Sequence, residues 1–146
     1  MTQEDKELLL KDLCARLPYG VKVAFFNEDL THHSEPKTLT GIECINNLNY
    51  SSLEDEDGNT TIVELVKPYL FPLSRLNSLT DEQKKTLKVL CDWNDEEADA
   101  QSILVLYQKH FVMKSDVIDW LHKNHFDYRG LIEKGLAIDA TGLNIY

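Results

Sequence analysis

Apolar residues recur along this chain in two periods, and the switch between them organises it. Leu10, Leu13, Cys14 and Leu17 recur at i, i+3, i+4 and i+7, which predicts a helix over Thr2 to Leu17. Thr2 is placed to cap it, and Glu4 and Asp5 suit the positive end of its dipole. Pro18-Tyr19-Gly20 stops the helix and turns the chain. The period then falls to two. Val21, Val23 and Phe25 alternate with Lys22 and Ala24, a strand over Val21 to Phe26. After a polar loop from Asn27 to Pro36, Thr38 to Ile45 reads as a second strand. Gly41 within it suggests a bulge or a close backbone approach. Leu48 to Leu53 and Thr60 to Val66 flank Asp57-Gly58, a strong turn signal, and read as a β-hairpin.

The next apolar run, Pro68 to Leu73, holds two prolines. It predicts a short irregular segment or one helical turn, laid as a lid on the core. Helical spacing returns after it. Thr80-Asp81-Glu82-Gln83 has the form of a capping box, and Leu87, Leu90 and Cys91 share one face of the helix it opens. A second box at Asn94-Asp95-Glu96-Glu97 precedes Ile103, Leu106, Tyr107, His110 and Phe111 at helical spacing. Ser115 is the expected cap of a third helix, with Val117, Ile118 and Leu121 inward. Beyond His125, glycines at 130, 135 and 142 break the chain into short pieces. Leu136-Ala137-Ile138 fits either a short edge strand or a turn of 3₁₀ helix. There is no internal repeat. The order predicts a single α+β domain over residues 1–146: a helix, an antiparallel meander of three to four strands, three helices and an irregular tail.

Three segments carry a resemblance. KDLCARLPYGVKV (Lys11 to Val23), KPYLFPLSRLNSLTDEQKK (Lys67 to Lys85) and VIDWLHKNHFDYRGLIEKGLAIDATGLNIY (to Tyr146) together cover about half the chain. In that order they resemble a family of small uncharacterised proteins from Bacteroides-type gut bacteria and their phages. The resemblance implies an origin in a phage or mobile element and supplies no activity.

Composition narrows the partners. A chain of 146 residues needs no disulfide or metal staple to hold a core. Its net charge of -10 discourages binding to nucleic acid or to anionic membrane. Acids interspersed with lysine along the helices read as a solvated surface rather than a DNA mimic. The polar, acidic start is unlike a signal peptide, and no apolar run approaches the ~20 residues of a membrane span, so a soluble cytoplasmic protein is expected. Cys14, Cys44 and Cys91 are far apart without a CxxC pair, which predicts three reduced, buried thiols rather than zinc.

Candidate chemistry is sparse. Leu53 to Glu64 matches a calcium loop at Asp55, Asp57, Gly58 and Glu64, but Leu53 is no ligand and the flanks read as strands. A solvated hairpin tip explains the same residues. Asp119, His122 and His125 offer at most two ligands to one metal and read as a polar helix end near the negative dipole. His32 and His33 point apart in extended chain and chelate poorly. Trp120, His125, Phe126, Tyr128 and Arg129 form the candidate ligand-binding cluster. Arg129 brings a planar donor fork for a carboxylate or phosphate, and the rings bring stacking faces. The competing reading pairs Arg129 with Asp127 or another acid and uses the aromatics to anchor the tail. No nucleophile–base motif, HExxH, Walker A or GxGxxG loop occurs, so an enzyme is disfavoured and no cofactor or metal is expected. Two functions stay open: a non-catalytic accessory module that binds a host protein, and a protein that holds a small nucleotide-like anion against host defence signalling.

Overall fold

A computed structural model describes residues 1–45, 50–93, 99, 101, 102, 104 and 114–146. The chain is an α+β fold with an N-terminal helix, a mostly antiparallel sheet and further helices. Helix α1 spans Gln3–Arg16, and Thr2 caps it through a capping box with Asp5. Its buried face is Leu9, Leu10, Asp12, Leu13 and Arg16, while Cys14 is exposed. The apolar stripe is thus rotated from the expected one, because a charged pair one helical turn apart lies inward.

Six strands follow among the described residues: β1 (Lys22–Phe25), β2 (Lys37–Ile45), β3 (Tyr50–Asp55), β4 (Thr60–Thr61), β5 (Val66–Leu70) and β6 (Ile138–Asp139). Their order across the sheet is β4-β3-β2-β1-β5-β6. Each neighbouring pair is antiparallel except β5 and β6. The bulge falls between Leu39 and Gly41, where Thr40 has no partner of its own. The Thr40 hydroxyl lies 3.1 and 3.0 Å from the Glu54 and Asp55 carbonyls and donates there.

The expected meander of three to four strands is corrected at two places. The run Thr60 to Val66 is no single strand: it breaks after Thr61 into a 3₁₀ turn over Val63–Leu65. The run expected as a lid supplies β5, an internal strand. Pro68 is tolerated there for a geometric reason. Backbone groups alternate sides along a strand. Leu65 accepts from Phe26 on the β1 side and Leu70 accepts from Ala140 on the other, so the Pro68 nitrogen turns toward β6. β6 begins only opposite Tyr69, so no ladder bond is missing.

The sheet has two apolar faces. Val21, Val23, Leu39, Leu53, Val66 and Leu70 pack under Leu9, Leu10 and Leu13 of α1. On the other face Ala24 and Tyr69 meet Ala140, Ile138 and Ile145, so the chain beyond β6 folds back across it. A second core gathers Leu76, Leu87, Cys91, Leu104, Val117, Leu121 and Phe126. It joins a 3₁₀ segment (Leu73–Ser78) to helices α2 (Asp81–Leu90) and α3 (Ser115–Lys123).

The Thr80 capping box is present, with the hydroxyl accepting from the Gln83 N–H at 3.2 Å. Thr80→Ala should lower stability by about 1 kcal/mol. A thermal melt should show Tm lower by about 2–4 °C. Ser115 is no cap: it is the first helical residue, and Lys114 stands at the cap without a side-chain bond. The Asn94 box and the face of Ile103, Leu106, Tyr107, His110 and Phe111 lie outside the described residues. Of the thiols only Cys91 is buried, and Cys14 and Cys44 are exposed, contrary to expectation. Among the described residues no helix is long and apolar enough to cross a membrane.

Candidate functional site

The helical half meets α1 through a buried ionic cluster. Asp12 and Arg16 are both fully buried and lie one turn apart, so their side chains meet. Arg16 donates from Nε to Asp12 at 2.6 Å and from Nη2 to Asp12 at 3.2 Å and to the Phe126 carbonyl at 2.7 Å. Its Nη1 is buried without a partner. Arg129 brings a second guanidinium, with Nε 3.1 Å from Asp12, near enough for an ion pair but misaligned for a hydrogen bond. One buried carboxylate therefore faces two arginines. His122 lies beside them and bonds the Tyr128 hydroxyl at 3.0 Å. Burial, and then the Arg16 charge, hold the His122 pKa below its ordinary value despite Asp12.

α3 ends in a Schellman turn. Phe126 N–H reaches the Leu121 carbonyl and His125 N–H reaches that of His122. The left-handed position of such a turn usually holds glycine, and here it holds His125 at φ 60°. The turn fixes His125 and Phe126 against the end of β5: Phe71 N–H bonds the His125 carbonyl, and Asp127 N–H returns to the Phe71 carbonyl. Asp127 then accepts from the Leu131 and Ile132 N–H groups, which folds the segment beyond it.

Between these elements lies a two-lobed cleft of about 330 and 300 Å³. Phe71, Arg75, Ser78 and Tyr146 border both lobes. Thr141 and Asn144 line one, and Gln83, Lys123, Asn124 and His125 line the other. Arg75 packs its guanidinium 3.9 Å from the centre of the Phe71 ring. Among the described residues no carboxylate lies within ion-pair reach of Arg75 or Lys123, and no Asp or Glu lines the cleft. His125 is 8% exposed, and its Nδ1 is buried without a partner. Burial, then Arg16, bring its pKa down to about 4, so the ring is neutral at pH 7.

The five residues of the sequence cluster do not share one cavity. His125 and Phe126 line the cleft. Trp120 stacks on Phe126, with ring centres 5.8 Å apart. Arg129 sits on Asp12, with its guanidinium 5.0 Å from the Tyr128 ring. Tyr128 borders a separate hollow of about 410 Å³. That hollow is larger than either lobe, but among the described residues it is lined by Asp127 and Glu133 and by no lysine or arginine, which disfavours an anion.

Other candidates resolve locally. His122 and His125 turn to different partners, Tyr128 and Tyr146. Among the described residues no group of three or more His, Cys, Asp or Glu converges on one point. His32 and His33 are exposed, and His33 packs on Phe26. In the hairpin tip Asp55 accepts from the Asp57 and Asn59 N–H groups and the Asn59 amide. Those bonds use the carboxylate that a calcium loop would present to the ion. Burial works to raise the Asp55 pKa, but the bonds outweigh it and hold the value below normal.

Sequence reasoning missed Asp12, Arg16, Arg75 and Tyr146. One signal was available. In this acidic chain Leu65 to Thr80, Trp120 to Phe126 and Ala140 to Tyr146 contain no Asp or Glu, and these three stretches supply most of the cleft wall. Comparison of the chain with protein-family models, with curated proteins and with solved structures finds no match to any of them.

Proposed function

We propose that this chain binds a small anionic ligand in the cleft around Arg75. One observation carries the reading. In a chain of net charge -10, the cleft wall holds Arg75, Lys123 and neutral amide and hydroxyl donors, with no Asp or Glu among its described residues. A cationic concavity on an acidic molecule focuses potential for an anion, and a guanidinium is well shaped for phosphate or carboxylate. Aromatic rings at the same wall suit a ligand with a flat group. In a phage or mobile-element setting the role would be to hold a nucleotide-like signal away from its receptor.

A host-protein partner is the second reading, and a different surface favours it. On α2, Val89 is 69% exposed beside Leu90 and Thr86, over an apolar hollow.

Calorimetric titration with adenosine 5′-monophosphate and with inorganic phosphate tests the first reading. Arg75→Ala should weaken binding roughly 10- to 100-fold, the worth of a charge-assisted hydrogen bond. It should move stability by no more than about 1 kcal/mol, since only the contact with Phe71 is lost. Arg129→Ala should do the reverse, lowering Tm with affinity unchanged. Equal binding by the parent and Arg75→Ala, or no binding of either probe, would sink the proposal.

A further inference from the structure

Tyr146 is 43% exposed as a whole residue, but its ring and hydroxyl make directed contacts such as a bound molecule would make. Its ring lies on His125 with centres 3.7 Å apart and planes 12° from parallel, and it meets Phe71 edge-on at 5.7 Å. Its hydroxyl accepts from the Lys22 backbone N–H at 2.9 Å and donates to the Tyr69 carbonyl at 2.7 Å. The register of β1 and β5 sets Val23 opposite Pro68, so Lys22 falls opposite Tyr69. In a continued ladder those two groups would bond each other, and the phenol stands between them instead. Burial of the hydroxyl in this gap pushes the phenol pKa well above its ordinary value.

The surroundings of that ring make a recognition set. There is a flat imidazole face, an aromatic edge, and a backbone donor and acceptor side by side on two strands. Arg75 lies on the wall shared by both lobes. A heteroaromatic ring that carries one acceptor and one donor along its edge satisfies the same set by stacking and paired hydrogen bonds. The imidazole Nδ1 behind the phenol has no partner to lose.

The segment that delivers Tyr146 is lightly held. Leu143 is half exposed, and Thr141 and Asn144 are exposed, with Asn144 at φ 51°. Beyond Ala140, the hydrogen bonds that tie the described segment to the sheet are those of the Tyr146 hydroxyl. Ile145 adds apolar contact.

We propose that Tyr146 is an internal occupant of a slot for a heteroaromatic ring, displaced when a nucleoside monophosphate sets its base on His125 and its phosphate on Arg75. This rests on the anion-binding reading above and names its ligand class. Displacing the phenol lowers the apparent affinity of the intact protein by the fraction of molecules whose slot is open.

Titration of adenosine 5′-monophosphate and ribose 5-phosphate into the parent, Tyr146→Ala and Tyr146→Phe separates the outcomes. Tyr146→Ala should bind the nucleotide at least about tenfold tighter, while ribose 5-phosphate changes less than about twofold. Tyr146→Phe keeps the ring, loses the hydroxyl bridge and should show a smaller gain of the same sign. It carries the test if the alanine variant fails to fold. Binding of both probes with no gain for the nucleotide in either variant, as when β1 and β5 zip together behind the missing ring, overturns the slot and leaves the anion site standing. Failure of both probes to bind any variant removes the anion reading, and this proposal with it.

Discussion

Asp12→Ala should destabilise the protein by about 3–5 kcal/mol. Asp12 is fully buried on α1 and is the carboxylate against which Arg16 and Arg129 both rest. Removing it leaves Arg16, itself fully buried, with one bond to the Phe126 carbonyl and two uncompensated guanidinium charges close together. Urea denaturation checks the prediction, with the midpoint displaced and the slope conserved. The physical cause is the stranded charge rather than the lost pair. A variant with Asp12→Leu, Arg16→Met and Arg129→Met together should therefore recover most of the loss, since apolar replacements of buried ion pairs are often neutral. If Asp12→Ala costs less than about 1 kcal/mol, the range typical of surface pairs, the cluster does not hold the two halves together.

Acid should begin to weaken the fold near pH 6.5, through a buried histidine. His125 has a pKa of about 4 in the folded chain and an ordinary value of 6.5 in the unfolded chain. Burial is the main cause, and the nearby Arg16 charge adds to it. Below pH 6.5 the unfolded state takes a proton that the folded state refuses. Stability is therefore fully present above about pH 6.5 and falls as pH drops toward 4, with no further loss from this group below that. The window corresponds to about 3 kcal/mol. His122, also held low by burial, adds in the same direction. Asp55, held below its ordinary 3.8, loses its contribution only at lower pH, so the two windows separate. Urea melts from pH 7.5 to 4.5 on the parent and on His125→Asn check this. Asparagine tolerates the positive φ at 125 and does not titrate, so its profile should be the flatter one. Parallel profiles would assign the acid sensitivity elsewhere.

Local features were legible in the sequence, and features that depend on a distant partner were not. The Thr2 and Thr80 caps, the β1 alternation and the bulge before Gly41 are each written within a few residues. β5 was hidden by Pro68 and Pro72, because prolines argue against an internal strand unless the side facing each nitrogen is known. β6 was ambiguous because its partner lies about seventy residues earlier and two residues carry no periodicity. Asp12 and Arg16 look like surface charge in a helix rich in Lys and Glu. Only the arrival of Phe126 and Arg129 over them makes that face interior. The candidate site divides the same way. His125 and Phe126 stood out in an aromatic-rich tail, whereas Arg75 and Tyr146 become neighbours only through the packing of β5 against the chain beyond β6.

The placement of β5 also bears on how the chain is made. Its inner edge is covered by β1, which precedes it, but its outer edge is closed by residues 138–140. During synthesis that edge leaves the ribosome long before its cover exists. It exposes Tyr69 and Leu70, apolar residues next to a proline, as an open template for another chain. Pro68 and Pro72 then act as gatekeepers, since a proline on either side of a short apolar strand limits how far a foreign strand can pair along it. The same two prolines that disguise β5 as a loop protect it during the interval when it has no neighbour.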